Sequence, residues 1–251
     1  NQQQINLSFL PQIRLPANLS ATHNMQQVIE NHLILIMAFP SHVTRSTLRT
    51  IRPFLTKEHT LVIASKGIEN DTLALMSEVY QQELNPLPTV SILSGPTFAQ
   101  EVARGLPTGA VLACSDRNTQ QELQEIFHTK EFRVYPSSDL IGVQIGGTMK
   151  NVIAIASGIA DGMELGLNAR SAMICRGLAE MTRLGVYLGG QAETFRGMSG
   201  LGDLVLTATG HLSRNYSLGI ALGKGQTLAE YQKDKHSVAE GIKSTKSVYQ
   251  L

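Results

Sequence analysis

Leu33-Ile34-Leu35-Ile36-Met37-Ala38-Phe39-Pro40-Ser41 decides the fold class. Seven apolar residues in a row, too few for a core helix and rich in Ile and Leu, predict a buried strand. Pro40 withdraws a backbone donor and ends it. Ser41 is placed to cap the amphipathic stretch His42 to Arg52 as a helix. The same alternation then repeats. Thr60 to Ala64 predicts a strand and Asp71 to Glu83 a helix. Thr89 to Leu93, Ala110 to Ala113 and Phe132 to Tyr135 predict three more strands, with a helix from Asp116 to Thr129 before the last. Strands alternating with helices at this spacing imply an α/β, Rossmann-like, doubly wound parallel sheet.

The pattern changes after Pro136-Ser137-Ser138-Asp139. Asp139 to Ala160, Asn168 to Leu188, Leu201 to Thr207 and Arg214 to Leu222 all read as helical, with Gly189-Gly190 and Gly223-Lys224-Gly225 as helix stops. The expected organisation is an α/β domain over 1–136 followed by an all-helical domain over 137–251.

Composition sets bounds. The 251 residues are 42% hydrophobic and 16% charged, enough to bury a sizeable core. A net charge of +1 gives no electrostatic reason to expect nucleic acid or an anionic membrane as partner. Leu33 to Phe39, the longest apolar run, is too short to span a bilayer. The N-terminal Asn1-Gln2-Gln3-Gln4 does not read as a secretion signal. Cys114 and Cys175 form no CxxC pair and no metal-ligand spacing, so both read as reduced core residues of a cytoplasmic protein. Met163, Met173, Met181 and Met198 read as core packing.

Polar residues in apolar context mark candidate chemistry. In an open parallel sheet, ligands bind beyond the carboxyl ends of the strands. Three such ends stand out: Phe39-Pro40-Ser41-His42, Ser65-Lys66-Gly67 and Ser94-Gly95-Pro96-Thr97-Phe98-Ala99. In the helical half, Lys150-Asn151 interrupts the run Gly146 to Ala156. An apolar setting lowers a lysine's pKa and suits it to carry a proton near neutrality, although a lysine on a helix's first turn also snorkels to water. Asp203 interrupts Gly200 to Val205, and as an acid after glycine it also suits a helix cap. Ser213-Arg214-Asn215 combines a cap serine, an arginine and a helix N-terminus, which suits an anion such as phosphate.

Taken in order, Ser65-Lys66-Gly67-Ile68-Glu69, Ser94 to Ala99, Gly147 to Gly158, Arg176 to Met181, Gly200 to Leu204 and Leu212 to Asn215 closely resemble bacterial NAD(P)-dependent glycerol-3-phosphate dehydrogenases. The resemblance implies interconversion of sn-glycerol 3-phosphate and dihydroxyacetone phosphate with NAD or NADP, in support of phospholipid synthesis. It implies that Lys150 is the catalytic base, with Asn151 and Asp203 beside it. It places Lys66, Gly95, Thr97, Lys150, Asp203, Thr207, Ser213, Arg214 and Asn215 around the substrate. It places Phe39, Pro40, Lys66, Ala99, Arg214, Val238 and Glu240 along the cofactor, and it suggests a homodimer without any metal.

The family also carries a GxGxxG loop that holds the cofactor pyrophosphate, and no GxGxxG occurs here; Gly200 and Gly202 begin the pattern but Val205 breaks it. The resemblance therefore implies a chain that starts after the family's first βα unit and stops before its last helices. Two other readings remain open on the residues: a phosphoglycerol-binding protein without turnover, and a dehydrogenase of similar architecture acting on another hydroxy acid. The Ser-Arg-Asn site speaks against the latter.

Overall fold

A five-stranded sheet and a stack of helices divide the chain between them, in a computed structural model that describes residues 4–86, 88–233 and 239–251. A short hairpin comes first, β1 (Ile5–Asn6) and β2 (Leu10–Arg14), and then α1 (Met25–Asn31), none of which the sequence pattern marked. The alternating part follows: β3 (Ile34–Met37), α2 (Thr44–Ile51), β4 (Thr60–Ile63), α3 (Met76–Glu83), β5 (Thr89–Ser94), α4 (Ala99–Ala103), β6 (Thr108–Cys114), α5 (Arg117–Phe127) and β7 (Phe132–Ser137). The sheet order is β3-β4-β5-β6-β7. Leu61 and Ile63 of β4 pack with Leu48 and Ile51 of α2 and with Val79 and Tyr80 of α3. On the opposite face Val62, Leu112 and Val134 pack with Leu123 of α5. Apolar residues on both faces of the strands thus bury helices on both sides.

The sheet is dominated by parallel pairs, but β5 and β6 pair antiparallel, with Ser91 opposite Cys114 and Ser94 opposite Val111. The connection explains the reversal. A parallel return needs an element long enough to run back along the sheet. The five residues of α4 rise only about 7.5 Å, against roughly 20 Å for the six residues of β5.

Several local expectations are corrected. The run at 33–39 is not buried throughout: β3 lies at a sheet edge, with Leu35 and Met37 inside and Leu33 and Ile36 exposed. Ser41 does not cap a helix with its side chain; it opens a short 3-10 turn, and α2 begins at Thr44. The helix expected from Asp71 begins at Met76, because Ile68 forms a β-bridge with Leu75 across the turn between them. Cys114 is buried as expected, whereas Cys175 is exposed. Of the four methionines, Met181 lies in the core, while Met163, Met173 and Met198 are exposed.

The second half contains α6 (Leu140–Gly162), α7 (Gly166–Tyr187), a 3-10 segment (Ala192–Arg196), a π turn (Met198–Gly202), α8 (Asp203–Thr209), α9 (Arg214–Gly223), α10 (Leu228–Lys233) and α11 (Gly241–Gln250). Among the described residues α6 is the one helix long and apolar enough to cross a membrane, but 72% of that stretch is buried inside the protein. Its apolarity is that of a central helix against which α7, α8, α9 and α11 pack.

Two glycine pairs set the closest of these contacts. A Cβ on Gly158 or Gly162 of α6 would lie 2.2 Å from the Tyr216 carbonyl oxygen or 2.4 Å from that of Ile220. A Cβ on Gly219 or Gly223 of α9 would lie 2.1 Å from the Ile155 oxygen or 2.4 Å from that of Ile159. Gly223 is therefore a packing position in the last turn of α9, and Gly225, with φ +89°, follows as the left-handed stop. This close crossing brings the first turn of α9 against the middle of α6.

Candidate active site

Lys150 lies in the middle of α6, not in its first turn, and it does not snorkel: its side chain is 9% exposed. Its ammonium donates to Asp203 Oδ1, and Lys66 donates to Asp203 Oδ2 at 2.9 Å. Asp203 opens α8 after the π turn and is fully buried, so a single carboxylate is shared by two lysines in a desolvated setting. It is an ion-pair partner rather than a helix cap. Thr207, one turn later on α8, directs its hydroxyl at the same Oδ1 from 3.4 Å.

Each charged group is held by a different part of the fold. Lys66 follows β4, and its stem runs past Gly147 of α6; a Cβ there would sit 3.6 Å from the Lys66 stem and 2.9 Å from Ser94 Oγ. The Lys66 ammonium also reaches the Gly95 carbonyl oxygen at 3.5 Å, which accepts from Thr97 Oγ1 at 3.2 Å. Gly95 sits where the antiparallel β6 turns alongside β5. Its φ is +148°, and a Cβ would meet Ala110 Cα at 2.9 Å, so glycine is required there.

Asp203 is placed through a relay that begins at α6. Asp139 caps α6 by accepting from Gly142 N at 2.8 Å, and its other oxygen accepts from Gln191 N and Thr194 Oγ1. This anchors the segment carrying the buried Phe195, whose ring occupies the space beside Gly185 of α7 and whose backbone abuts Gly200 of the π turn. Asp203 follows directly.

The electrostatics follow from one carboxylate between two cations. Desolvation is the main cause that pulls the Lys150 pKa down, to about 7, followed by the charge of Lys66; Asp203 opposes both. Desolvation also acts against charged Lys66, but the charge and hydrogen bond of Asp203 outweigh it and raise its pKa. Glu240 adds to that rise, which places its carboxylate within electrostatic reach of Lys66. The pair thus divides its roles: Lys66 stays cationic, and Lys150 exchanges a proton near neutral pH.

The remaining expected residues lie on α6, on α9 and at strand ends. Asn151 and Asn215 are buried and hydrogen-bonded to each other at 2.9 Å. Ser213 caps α9 by accepting from Tyr216 N at 3.2 Å, and Arg214 is exposed in the first turn. Phe39 is half-buried, Pro40 is exposed, and Ala99 is exposed at the start of α4, all at strand ends on the same rim as Lys66. Val238 lies outside the described residues. Ser94, which opens the strand end singled out at 94–99, has its hydroxyl buried beside the Lys66 stem with no hydrogen-bond partner among the described residues. The sequence reading missed Gly241, whose backbone N–H donates to Asn215 Oδ1 at 2.9 Å. A glycine opening a helix carries no distinctive pattern, so it could not be singled out.

Family models match most of the chain. Residues 1–120 match the N-terminal part, and residues 139–251 the C-terminal part, of the NAD-dependent glycerol-3-phosphate dehydrogenases. The glycerol-3-phosphate dehydrogenase (NAD(P)+) of Citrifermentans bemidjiense is 49% identical over 98% of this chain and 74% of its own length. That of Bartonella henselae is 45% identical over 100% of this chain and 74% of its own. The crystal structure of the Coxiella burnetii glycerol-3-phosphate dehydrogenase superposes with a TM-score of 0.96 at 37% identity, covering 99% of this chain and 76% of that one. On these matches the chain belongs to the NAD-dependent glycerol-3-phosphate dehydrogenase family.

Proposed function

We propose that this protein interconverts sn-glycerol 3-phosphate and dihydroxyacetone phosphate with NAD or NADP, Lys150 moving the proton of the C2 oxygen. The observation that carries the role of Lys150 is its burial on Asp203 with a pKa near 7, beside a second lysine that stays charged. In the oxidative direction neutral Lys150 takes the hydroxyl proton; in the reductive direction its ammonium returns it. Lys66 supplies a fixed positive charge where the oxygen gains negative charge. Asp203 holds the two ammonium groups in place, and Thr207 directs its hydroxyl at the Asp203 carboxylate.

The start of α9 suits the substrate phosphate. Ser213 uses its own oxygen to cap the helix, leaving the exposed Arg214 guanidinium at the positive end of the helix dipole. Gly95 and Thr97 border the substrate from the sheet side. Phe39, Pro40 and Ala99 follow β3 and β5 on that edge, and Glu240 opens α11 within electrostatic reach of Lys66. Together they fit the nicotinamide half of a dinucleotide: an aromatic ring and small residues admit a flat ring. NAD or NADP would supply the hydride acceptor or donor. A division into a cofactor-binding part (1–136) and a helical catalytic part (137–251), a cytoplasmic homodimer, and a supply of glycerol 3-phosphate to phospholipid synthesis belong to the same reading.

The test is reduction of dihydroxyacetone phosphate with NADH and with NADPH. Turnover with either supports the reading. Lys150→Ala is expected to abolish it while leaving phosphate-dependent binding intact, and normal turnover in that variant would remove Lys150 from the proton path.

A further inference from the structure

We infer that the backbone N–H of Gly241 polarises the Asn215–Asn151 amide pair, so that Asn151 presents its NH2 group, not its oxygen, to the substrate. The inference rests on the reading of the protein as a glycerol-3-phosphate dehydrogenase.

A side-chain amide can be turned end for end, so its donor and acceptor are settled only by its partners. Here one partner has no choice. The Gly241 N–H can only donate, and it lies 2.9 Å from the Asn215 side-chain oxygen. Asn215 must therefore turn its NH2 to Asn151, whose oxygen accepts it at 2.9 Å. The amide of Asn151 is fixed in turn, with its oxygen spent and its Nδ2 left over. That Nδ2 is buried and has no partner among the described residues. A buried donor without a partner calls for an acceptor from outside the chain. Asn151 directly follows Lys150 on α6, and Asn215 directly follows Arg214 on α9, so an oxygen of the phosphorylated substrate is the acceptor at hand.

The backbone of α11 is fitted to this task. A Cβ on Gly241 would lie 2.8 Å from Asn215 Oδ1, 2.9 Å from the Asn151 carbonyl oxygen and 2.7 Å from Ile155 Cδ1. Only glycine lets the first turn of α11 come close enough to donate. Asn215 is then a positioning residue: its oxygen and one N–H are engaged within the protein, and it acts on the substrate through Asn151. Gly241 also follows Glu240, so the segment facing Lys66 and the segment orienting Asn151 are one piece of chain.

The test compares Asn215→Ala with Asn215→Asp in the intact enzyme, and follows side-chain amide NMR signals in the unmodified protein. In Asn215→Asp the carboxylate still accepts from Gly241, but its other oxygen demands a donor and turns Asn151 around. In Asn215→Ala the Asn151 amide stays free to offer its NH2. The expected kcat/KM is at least tenfold lower for Asp than for Ala, although Asp is the closer fit in shape. An Asp variant as active as the Ala variant, or more so, overturns the inference. On titration of the unmodified protein with glycerol 3-phosphate, the Asn151 NH2 signal is expected to shift and that of Asn215 to move less. An Asn215 shift equal to or larger than that of Asn151 overturns it without reliance on any variant folding. Failure of the unmodified protein to reduce dihydroxyacetone phosphate would instead overturn the functional reading itself.

Discussion

Replacing Lys66 with methionine probes how Lys150 is tuned. Methionine retains most of the unbranched stem that runs past Gly147 and removes the ammonium. In the unmodified site, desolvation and then the charge of Lys66 hold the Lys150 pKa at about 7, against the pull of Asp203. In the variant the desolvation remains, the repulsion disappears, and Asp203 serves one lysine in place of two. Two like charges about 4 Å apart at an effective dielectric near 20 repel by ~4 kcal/mol, equivalent to ~3 pKa units. That is an upper value, because the Lys66 side chain is 19% exposed and partly screened. A rise of about 1–2 units is expected. A base with a raised pKa stays protonated to higher pH, so kcat/KM for glycerol 3-phosphate oxidation should reach its plateau about 1–2 pH units later. The assay is the pH profile of kcat/KM from pH 5.5 to 10 for both proteins. Lys66 also borders the substrate, so the plateau itself will fall; the position of the inflection is the readout. An inflection at or below that of the unmodified enzyme would refute the tuning argument.

Three further predictions follow from other parts of the molecule. Arg214→Ala should raise the KM for the phosphorylated substrate by roughly 10- to 100-fold, the loss of about 1.5–3 kcal/mol for a charged hydrogen bond, with kcat little changed; an unchanged KM would take Arg214 out of the phosphate site. Gly219→Ala places a methyl 2.1 Å from the Ile155 oxygen. It should cost about 1–3 kcal/mol in urea denaturation, and an unaltered midpoint would contradict the close α6–α9 crossing. Glu83 is held at a pKa of about 2 by hydrogen bonds from Arg49 and then Arg45. A carboxylate with a depressed folded pKa contributes stability that is present above its unfolded value of 4.5 and lost as pH falls toward 2. Glu83→Gln should therefore cost about 1 kcal/mol at pH 7, reduced by solvent screening, and progressively less below pH 4.5. A difference that stays constant over that range would count against the ion-pair account.

Much of the fold was legible because its signals are local. The aliphatic runs from Thr60 to Ala64 and from Thr89 to Leu93 announce strands that the sheet contains, and Asp116, Asp139 and Ser213 cap the helices they precede. The errors lie where the outcome depends on a distant neighbour. Nothing local tells Leu33 to Phe39 that its strand will lie at an edge, and nothing in Ala110 to Ala113 gives the direction in which that strand will run. Exposed Cys175 and Met163 misled for a related reason: apolar character permits burial, but only packing assigns it.

The sequence by itself determined which segments are strands and helices, where most of them end, and which polar residues interrupt apolar context. Backbone hydrogen bonding and side-chain periodicity are short-range, so a few consecutive residues suffice to express them. The tertiary structure alone decided that Lys66, Lys150 and Asp203 meet, since Lys66 and Asp203 stand 137 residues apart in the chain. It also decided that the glycines of α6 and α9 face one another and that Gly241 donates to Asn215. A lysine's pKa is a property of the charges and the water around it. Both are set by the closed fold, which is why Lys150 is an ordinary lysine in the sequence and a proton carrier near neutrality only in the structure.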